Sequence, residues 1–313
     1  MTSDEKDPRT SLMHALDMGA CRVEFSSKPV VLLCGGYFKL NTESTEHKLS
    51  LRDAINNFTP SPSEFDLFYP EHIKGWNADS LFPDLISFEK ELASICSLVV
   101  IILESEGALA EIGAFSQLKE LSNKLIAIRS EIYAASDSFI NLGILRFLTA
   151  HDNTAVKTYP WNIKKTSSIT TEITADVIDD IKSQLKKQPK TQIFKINLKS
   201  HVMVLICQIV SLFIAVKESE IFQFLKVLRI NTTNSELRSQ LFLLTEFKLI
   251  KQVEYSDSRF YMRSKVDFHK LVISTKDKAK PFDELRFTAL VSEYYFTNFS
   301  NHKNRCRAIS KFV

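Results

Sequence analysis

The 313-residue chain has 44% hydrophobic and 25% charged residues, a composition typical of a soluble globular protein long enough for two domains. Its charge is uneven, because residues 1–181 contain 16 Lys and Arg against 26 Asp and Glu, whereas residues 182–313 contain 24 against 11. This division favours two separate tasks and indicates a polyanion as the partner of the basic half. The solvated faces of two ordinary domains would also account for it.

Neither a membrane span nor a secretion signal is expected. The most hydrophobic long stretch, residues 201–216, is interrupted by polar residues and is shorter than the roughly 20 residues that cross a bilayer. Residues 1–30 lack the basic start and apolar core of a signal peptide. Five cysteines show no CxxC spacing, and seven histidines show no HxxxH or HExxH spacing. We therefore expect a reduced, cytoplasmic protein with no metal site and no bound cofactor.

Strands and helices alternate through the first half of the chain. An amphipathic helix is predicted at residues 8–20, packed on the domain that follows. The predicted strands are residues 30–34, 65–69, 98–103, 124–128 and 155–159, and predicted helices lie at residues 44–58, 85–96 and 172–187, with a further one around Glu111. This alternation predicts an α/β fold whose core is a doubly wound, parallel, five-stranded sheet with right-handed crossovers.

Three carboxylates follow the most hydrophobic of these strands. The run from Leu98 to Leu103 is typical of a strand that is buried on both faces. Glu104, Glu106 and Glu111 come directly after it, where an open α/β sheet has its ligand crevice. This stretch is therefore the candidate active site.

Glu111 is the most unusual of the three, because its neighbours on a helix face would be apolar, namely Ala108, Phe115 and Leu118. Surface glutamates are rarely placed in this way. The alternative is a first-turn carboxylate that only favours the helix dipole.

The second half has a different pattern. A polar segment with Pro189 predicts a linker and domains at residues 1–185 and 186–313. Predicted helices at residues 201–216, 218–230 and 234–247 precede a hairpin, residues 249–263, with a three-residue loop at residues 256–258. Three helices and a hairpin in this order predict a smaller winged-helix-like domain.

Basic side chains on the second and third helices and on the hairpin are candidates for nucleic-acid contacts. These are Arg229, Arg238, Lys248, Lys251, Arg259, Arg263 and Lys265. Tyr255, Phe260 and Tyr261 are interleaved with them and could stack on bases, although Phe260 is better explained as half-buried core.

Four segments resemble the nucleoside 2-deoxyribosyltransferase-like domain, and the whole chain resembles retron effector proteins that join this domain to a winged-helix-like tail. The matching segments are residues 33–36, 66–71, 104–116 and 138–143. The third is the specific one, because a glycine four residues before a helical glutamate is the nucleophile signature of the family. The chain departs from the transferases at Ser105, where they carry an aspartate.

The resemblance implies an N-glycosidase that acts on a nucleotide, with NAD as the substrate of the nearest relatives, and it assigns Glu111 to the catalytic position. It also implies an anti-phage retron, with a reverse transcriptase and its multicopy single-stranded DNA (msDNA) as partners. The residues expected around the substrate are Gly35, Gly36, Tyr37, Asp66, Glu71, Glu104, Ser105, Glu106, Gly107 and Asn141. Glu104 and Glu106 could orient ribose hydroxyls or could be solvated loop charges.

The preferred interpretation is a toxin-like NAD glycohydrolase that a complex with reverse transcriptase and msDNA keeps inactive. One alternative is a nucleotide-sensing DNA-binding regulator, and another is a nucleoside deoxyribosyltransferase. The sequence leaves open the trigger, the acceptor of the ribosyl group and the oligomeric state, including a homo-oligomer.

Overall fold

The structure, a computed structural model, describes residues 7–39, 48–77, 81–266, 268–278 and 281–312. The chain forms two compact units. One unit is Ser27–Pro189, and the other combines Met1–Ser26 with Lys190–Val313. We call them the sheet unit and the winged-helix unit. The first 26 residues thus belong with the C-terminal half, whereas the predicted boundaries assigned them to the first domain.

The bounds of the secondary-structure elements follow in chain order. The helices are α1 Pro8–Ala15, α2 Leu51–Asn56, α3 Leu85–Ile95, α4 Glu106–Phe115, α5 Arg146–His151, α6 Thr171–Lys187, α7 Lys199–Leu212, α8 Glu218–Val227, α9 Asn234–Glu246, α10 Glu284–Thr297 and α11 Phe299–Phe312. The strands are β1 Arg22–Glu24, β2 Val30–Cys34, β3 Asp66–Phe68, β4 Leu98–Ile102, β5 Leu125–Ser130, β6 Val156–Tyr159, β7 Thr191–Ile193, β8 Ala215–Val216, β9 Ile250–Tyr255, β10 Ser258–Arg263 and β11 Lys270–Val272.

The sheet unit contains the predicted five-stranded parallel sheet, which is confirmed. Its strand order is β3-β2-β4-β5-β6, with helices packed around it. Every residue of the central strand β4 is buried, as its unbroken apolar sequence predicted. Since all five strands are parallel, their carboxyl ends meet at one edge of the sheet, and this edge carries the candidate site.

Two segments of the sheet unit differ from the sequence-based expectation. The helix predicted at residues 44–58 begins at Leu51 in the described part of the chain, and residues 40–47 lie outside the described residues. Residues Ile140–Leu145, for which no element was predicted, form a π-helix that continues directly into α5.

The winged-helix unit has the predicted helices and hairpin, in the order α7, β8, α8, α9, β9, β10. Its small sheet has the strand order β8-β10-β9, so that the hairpin lies beside a short strand between the first two helices. The predicted winged-helix-like domain is confirmed. The hairpin loop has two residues, Ser256 and Asp257, and not three, because Tyr255 pairs with Ser258.

The hydrophobic stretch at residues 201–216 is a buried helix only in part. Helix α7 ends at Leu212, and Ile214 has a left-handed backbone (φ 62°) that turns the chain into β8. In the described part of the chain no helix combines the length and apolarity needed to cross a bilayer.

The N-terminal segment is an integral part of the winged-helix unit. Strand β1 is the central strand of a second antiparallel sheet and pairs with β7 on one side and β11 on the other. Helix α1 packs on α8 and α10 of its own unit, whereas it was expected to pack on the domain that follows. Arg9 of α1 is buried and donates to Glu220 of α8 at 2.7 Å. Local sequence patterns gave no sign of these contacts, since the pair of Arg9 and Glu220, for example, joins residues 211 positions apart.

We predict that Arg9→Met destabilises the winged-helix unit by about 1.5 to 3 kcal/mol, because the buried carboxylate of Glu220 loses one of its two cations and keeps only Arg305. Chemical unfolding measures the change. The matched control is Arg259→Met, which removes an exposed pair with Glu254 and should change the free energy of unfolding by less than about 1 kcal/mol. Equal effects of the two substitutions would contradict the structural role of Arg9.

Candidate active site

The site begins where β4 ends. Ser105 caps helix α4, because its hydroxyl oxygen accepts from the backbone N–H of Ala108 at 3.2 Å. The same hydroxyl donates to the carbonyl oxygen of Gly35 at 3.1 Å. At the position of the family's aspartate, this chain therefore has a helix cap that also binds the loop after β2.

Glu104 connects the same loop to helix α2. Its Oε1 accepts from the backbone N–H groups of Gly36 (3.1 Å) and Arg52 (3.0 Å), and its Oε2 accepts from that of Leu51 at 2.9 Å. Burial raises the pKa of Glu104, and the three N–H donors act against this shift. The expected role of Glu104 beside ribose hydroxyls is corrected, because both carboxylate oxygens are bound to backbone.

The glycine pair makes room for this carboxylate. A Cβ atom on Gly36 would lie 2.9 Å from Cγ of Glu104, and one on Gly35 would lie 3.1 Å from Cβ of Ile102. A glycine pair at a strand end lets another group approach the backbone closely. Here the group that lies against Gly36 is the side chain of Glu104. Tyr37 follows and is 71% exposed, at the carboxyl edge of the sheet.

Glu111 lies in the second turn of α4, as its sixth residue, so the alternative of a first-turn carboxylate is wrong. The acidic residue in the first turn is Glu106. Ala108 and Phe115 on the face of Glu111 are buried as predicted, whereas Leu118 lies beyond the end of the helix.

The carboxyl group of Glu111 has an unsatisfied oxygen, since Oε2 is buried without a hydrogen-bond partner among the described residues. Burial raises the pKa of Glu111, and the negative charge of Glu71 acts in the same direction. The positive charge of Arg52 and a hydrogen bond with Cys34 oppose the shift.

Arg52 is the first site residue that sequence reasoning missed. Its Nη1 and Nη2 each donate to one carboxylate oxygen of Glu71 at 2.7 Å, and its guanidinium lies 4.2 Å from the centre of the Phe38 ring. Burial alone would raise the pKa of Glu71, but hydrogen bonds and charge from Arg52 keep it below its ordinary value. Helical periodicity pointed Leu51 inward and gave no signal for Arg52.

Glu89 on α3 is the second missed residue. Burial, followed by the charges of Glu111 and Glu71, raises the pKa of Glu89 to about 7. The carboxyl groups of Glu71, Glu89 and Glu111 thus interact with one another and with Arg52. We call these four residues the carboxylate cluster. It places Glu89, whose pKa is raised towards neutrality, with Glu71, whose pKa lies below its ordinary value, and this combination is suited to proton transfer.

Two predicted substrate contacts are corrected. Asp66 is the first residue of β3 and is level with Val30, the first residue of β2, so it lies at the opposite edge of the sheet, where it pairs with Lys28. Asn141, in the π-helix, uses its side chain to hold the segment that precedes this helix: it accepts from Arg129 at 2.8 Å and donates to the carbonyls of Tyr133 and Ser136 at 2.7 Å.

Glu106 and Gly107 remain candidates for substrate contact. Both are exposed at the start of α4. A Cβ atom on Gly107 would contact only Oγ of Ser105, at 3.9 Å, so space is open above this backbone. No group of side chains in the described residues could hold a metal ion.

The seven basic candidates of the winged-helix unit fall into two groups. Arg238 and Arg259 are paired with Glu218 and Glu254, and Lys251 donates to the carbonyl of Phe312. The exposed remainder is Arg229, Lys248, Arg263 and Lys265.

The aromatic candidates are less available than predicted. Phe260 is buried, as expected, but so is Tyr261, which therefore presents no face to a base; Tyr255 is half-buried.

Comparison with known proteins gives two relatives from Escherichia coli. The chain is 34% identical over 134 residues to the "Retron Ec86 putative ribosyltransferase/DNA-binding protein", a match that covers 41% of this chain and 40% of the relative. It is 30% identical over 124 residues to the Ec73 protein of the same description, covering 39% of this chain and 38% of the relative. The matched region is thus about two fifths of each relative's length.

A family model supports the same assignment over a longer region. It is described as the STM3845 retron effector protein, and it matches residues 48–252, which include the carboxylate cluster, the linker and helices α7 to α9. On this match, which covers more than half of its length, the chain belongs to the STM3845 family of retron effector proteins.

Proposed function

We propose that the sheet unit is an N-glycosidase that cleaves the glycosidic bond of a nucleotide, with NAD as substrate and nicotinamide as the leaving base. The observation that carries this proposal is the Glu111 carboxyl group. It is largely buried at the carboxyl edge of the sheet, and its Oε2 has no hydrogen-bond partner among the described residues. A carboxylate in such a position is suited to a carbon that becomes positively charged.

Cleavage of an N-glycosidic bond develops positive charge at C1′ of the ribose. Glu111 stabilises this charge or forms an ester with C1′ as the bond to the base breaks. The nicotinamide of NAD is already cationic, so it takes the bonding electron pair and leaves as a neutral molecule without a proton donor. This suits a site in which the hydroxyl of Ser105 is occupied as a helix cap.

Glu89 is the proposed base for the second step. Water attacks C1′, the new C–O bond replaces the ester bond to Glu111, and the released proton passes to the Glu89 carboxylate. A pKa of about 7 suits Glu89 to take up this proton near neutral pH and to return it to solvent.

Membership of the STM3845 family supports a role as a retron effector. The names of the Ec86 and Ec73 relatives describe putative ribosyltransferase/DNA-binding proteins. We propose on this basis that the protein acts as a toxin in anti-phage defence. A complex with the retron reverse transcriptase and msDNA keeps it inactive. The winged-helix unit contributes nucleic-acid contacts through the exposed side chains of Arg229, Lys248, Arg263 and Lys265.

We predict that Glu111→Gln lowers nicotinamide release from NAD by roughly a thousandfold or more, because the amide can neither carry the charge nor form the ester. Chromatography of the products measures the rate, and circular dichroism checks the fold. The matched control, Glu172→Gln, changes an exposed first-turn glutamate of α6 and should retain full activity. Full activity in Glu111→Gln would reject its catalytic role.

The same assay, repeated with deoxynucleosides and free bases, separates the alternatives. Base exchange would identify a deoxyribosyltransferase. No turnover of either substrate, together with binding of nucleotide and DNA, would identify a sensing regulator.

We predict that kcat rises with pH through an inflection near pH 7, since Glu89 must lose its proton to act as a base. Glu89→Gln should remove this inflection and lower kcat by roughly a hundredfold. Rate measurements from pH 5 to pH 9 test this. An unchanged inflection in the variant would assign it to another group.

We predict that the double variant Arg263→Gln, Lys265→Gln binds single-stranded and hairpin DNA more weakly. The slope of log K against log salt should fall by roughly two, one for each lost phosphate contact. Fluorescence anisotropy at several salt concentrations gives this slope. The control is Lys90→Gln on α3 of the sheet unit; a slope that the double variant leaves unchanged would exclude this surface.

A further inference from the structure

Hydrogen bonds of the backbone at the start of α2 determine where the side chain of Arg52 begins. Helix α2 begins at Leu51, and the hydroxyl of Ser50 caps it by accepting from the N–H of Asp53. The Glu104 carboxylate accepts from the N–H groups of Leu51 and Arg52. The first turn of α2 is therefore anchored to the end of β4, and the side chain of Arg52 starts from a defined point.

The guanidinium of Arg52 is buried, with the residue only 3% exposed, and it is contacted on all sides. Nε donates to the carbonyl of Leu33 at 3.0 Å, Nη1 to that of Gly36 at 3.4 Å, and both terminal nitrogens to Glu71. The rings of Phe38 and Tyr69 lie at 4.2 and 5.3 Å from it. A guanidinium keeps its proton at any physiological pH, so this is a permanent buried positive charge.

We propose that Arg52 is a positioning residue of the candidate site: its guanidinium, fixed by the carbonyls of Leu33 and Gly36, holds Glu71 by two hydrogen bonds and supplies a buried positive charge to the carboxylate cluster. The purpose of this positioning rests on the proposed function. The electrostatic arrangement itself can be tested without substrate.

The titratable and charged groups around Glu111 come from several elements. Cys34 lies on β2, Arg52 on α2, Glu71 on the 3-10 helix Pro70–His72 and Glu89 on α3. Carboxylates gathered at low dielectric favour protonation of one another, and a buried cation opposes this. Arg52 lowers the pKa of Glu71, Glu89 and Glu111 alike.

This arrangement predicts opposite effects for two substitutions. Arg52→Met removes the cation, so the pKa of Glu111 rises, and activity falls roughly tenfold more at acid pH than at alkaline pH. Glu71→Gln removes a neighbouring anion while keeping the cation, so the pKa of Glu111 falls. A residue with only a structural role would lower activity equally at all pH values.

The experiment follows the carboxyl carbon of Glu111 by NMR in protein labelled with ¹³C at glutamate, during a pH titration without substrate. The signal is assigned by its absence in Glu111→Gln. We expect its midpoint to move up in Arg52→Met and down in Glu71→Gln. The control Lys157→Met, on the far strand β6, breaks the ion pair with Asp180 of α6 and should leave the midpoint unchanged.

Identical midpoints in wild type, Arg52→Met and Glu71→Gln would overturn the proposal. If Arg52→Met does not fold, Arg52→Gln takes its place, since this variant also removes the cation but keeps a hydrogen-bond donor; a midpoint that it leaves unchanged would overturn the proposal equally. Failure of the wild type to release nicotinamide would refute the proposed function and leave this test intact.

Discussion

One carboxylate that has no part in the proposed chemistry makes the site possible. Glu104 follows the most buried strand of the sheet and accepts backbone N–H groups from two other segments, the loop after β2 and the first turn of α2. These bonds offset part of the cost of burying its charge, although burial still raises the pKa of Glu104. They also require a residue without a side chain at Gly36 and place Arg52 beside Glu71. Without them, each of these segments would need another anchor.

The charge balance that follows shapes the chemistry. Three interacting carboxyl groups lie near a single buried arginine that is already paired with Glu71. Such a site favours positive charge in the substrate and in the transition state more than it favours phosphate. A ribosyl group bound to a cationic base meets this condition, because its reacting end is positive both before and during bond cleavage.

The sheet unit is inserted between two strands of the other unit. Strand β1 leads into it and β7 follows it, and these strands are hydrogen-bonded neighbours, with the N–H of Phe25 donating to the carbonyl of Lys190 at 2.9 Å. The winged-helix unit is consequently built from segments on both sides of the sheet unit in the sequence. The buried pair between Arg9 and Glu220 also joins one of these segments to the other. Truncation at either end therefore removes core contacts of this unit.

The sequence by itself determined those features that depend on local pattern. Unbroken apolar runs predicted the inner strands β2, β4 and β5, because a strand covered on both faces needs no polar positions, and the alternation of strands with helices predicted the parallel sheet. The order of helices and hairpin predicted the winged helix, and the apolar helix face singled out Glu111. The predicted length of the hairpin loop was wrong by one residue, since the register of the two strands depends on their pairing.

Only the tertiary structure decided which polar groups meet. Arg52 and Glu89 carry no local signal, and their importance comes from neighbours on other elements. Asp66 was expected at the site because its segment matched, yet the parallel register places it at the opposite edge of the sheet. Glu104 and Glu111 are close in sequence but differ in role, because the carboxylate of Glu104 accepts from backbone N–H groups, whereas Oε2 of Glu111 has no partner among the described residues. Partners of this kind are set by long-range packing, which periodicity and spacing do not encode.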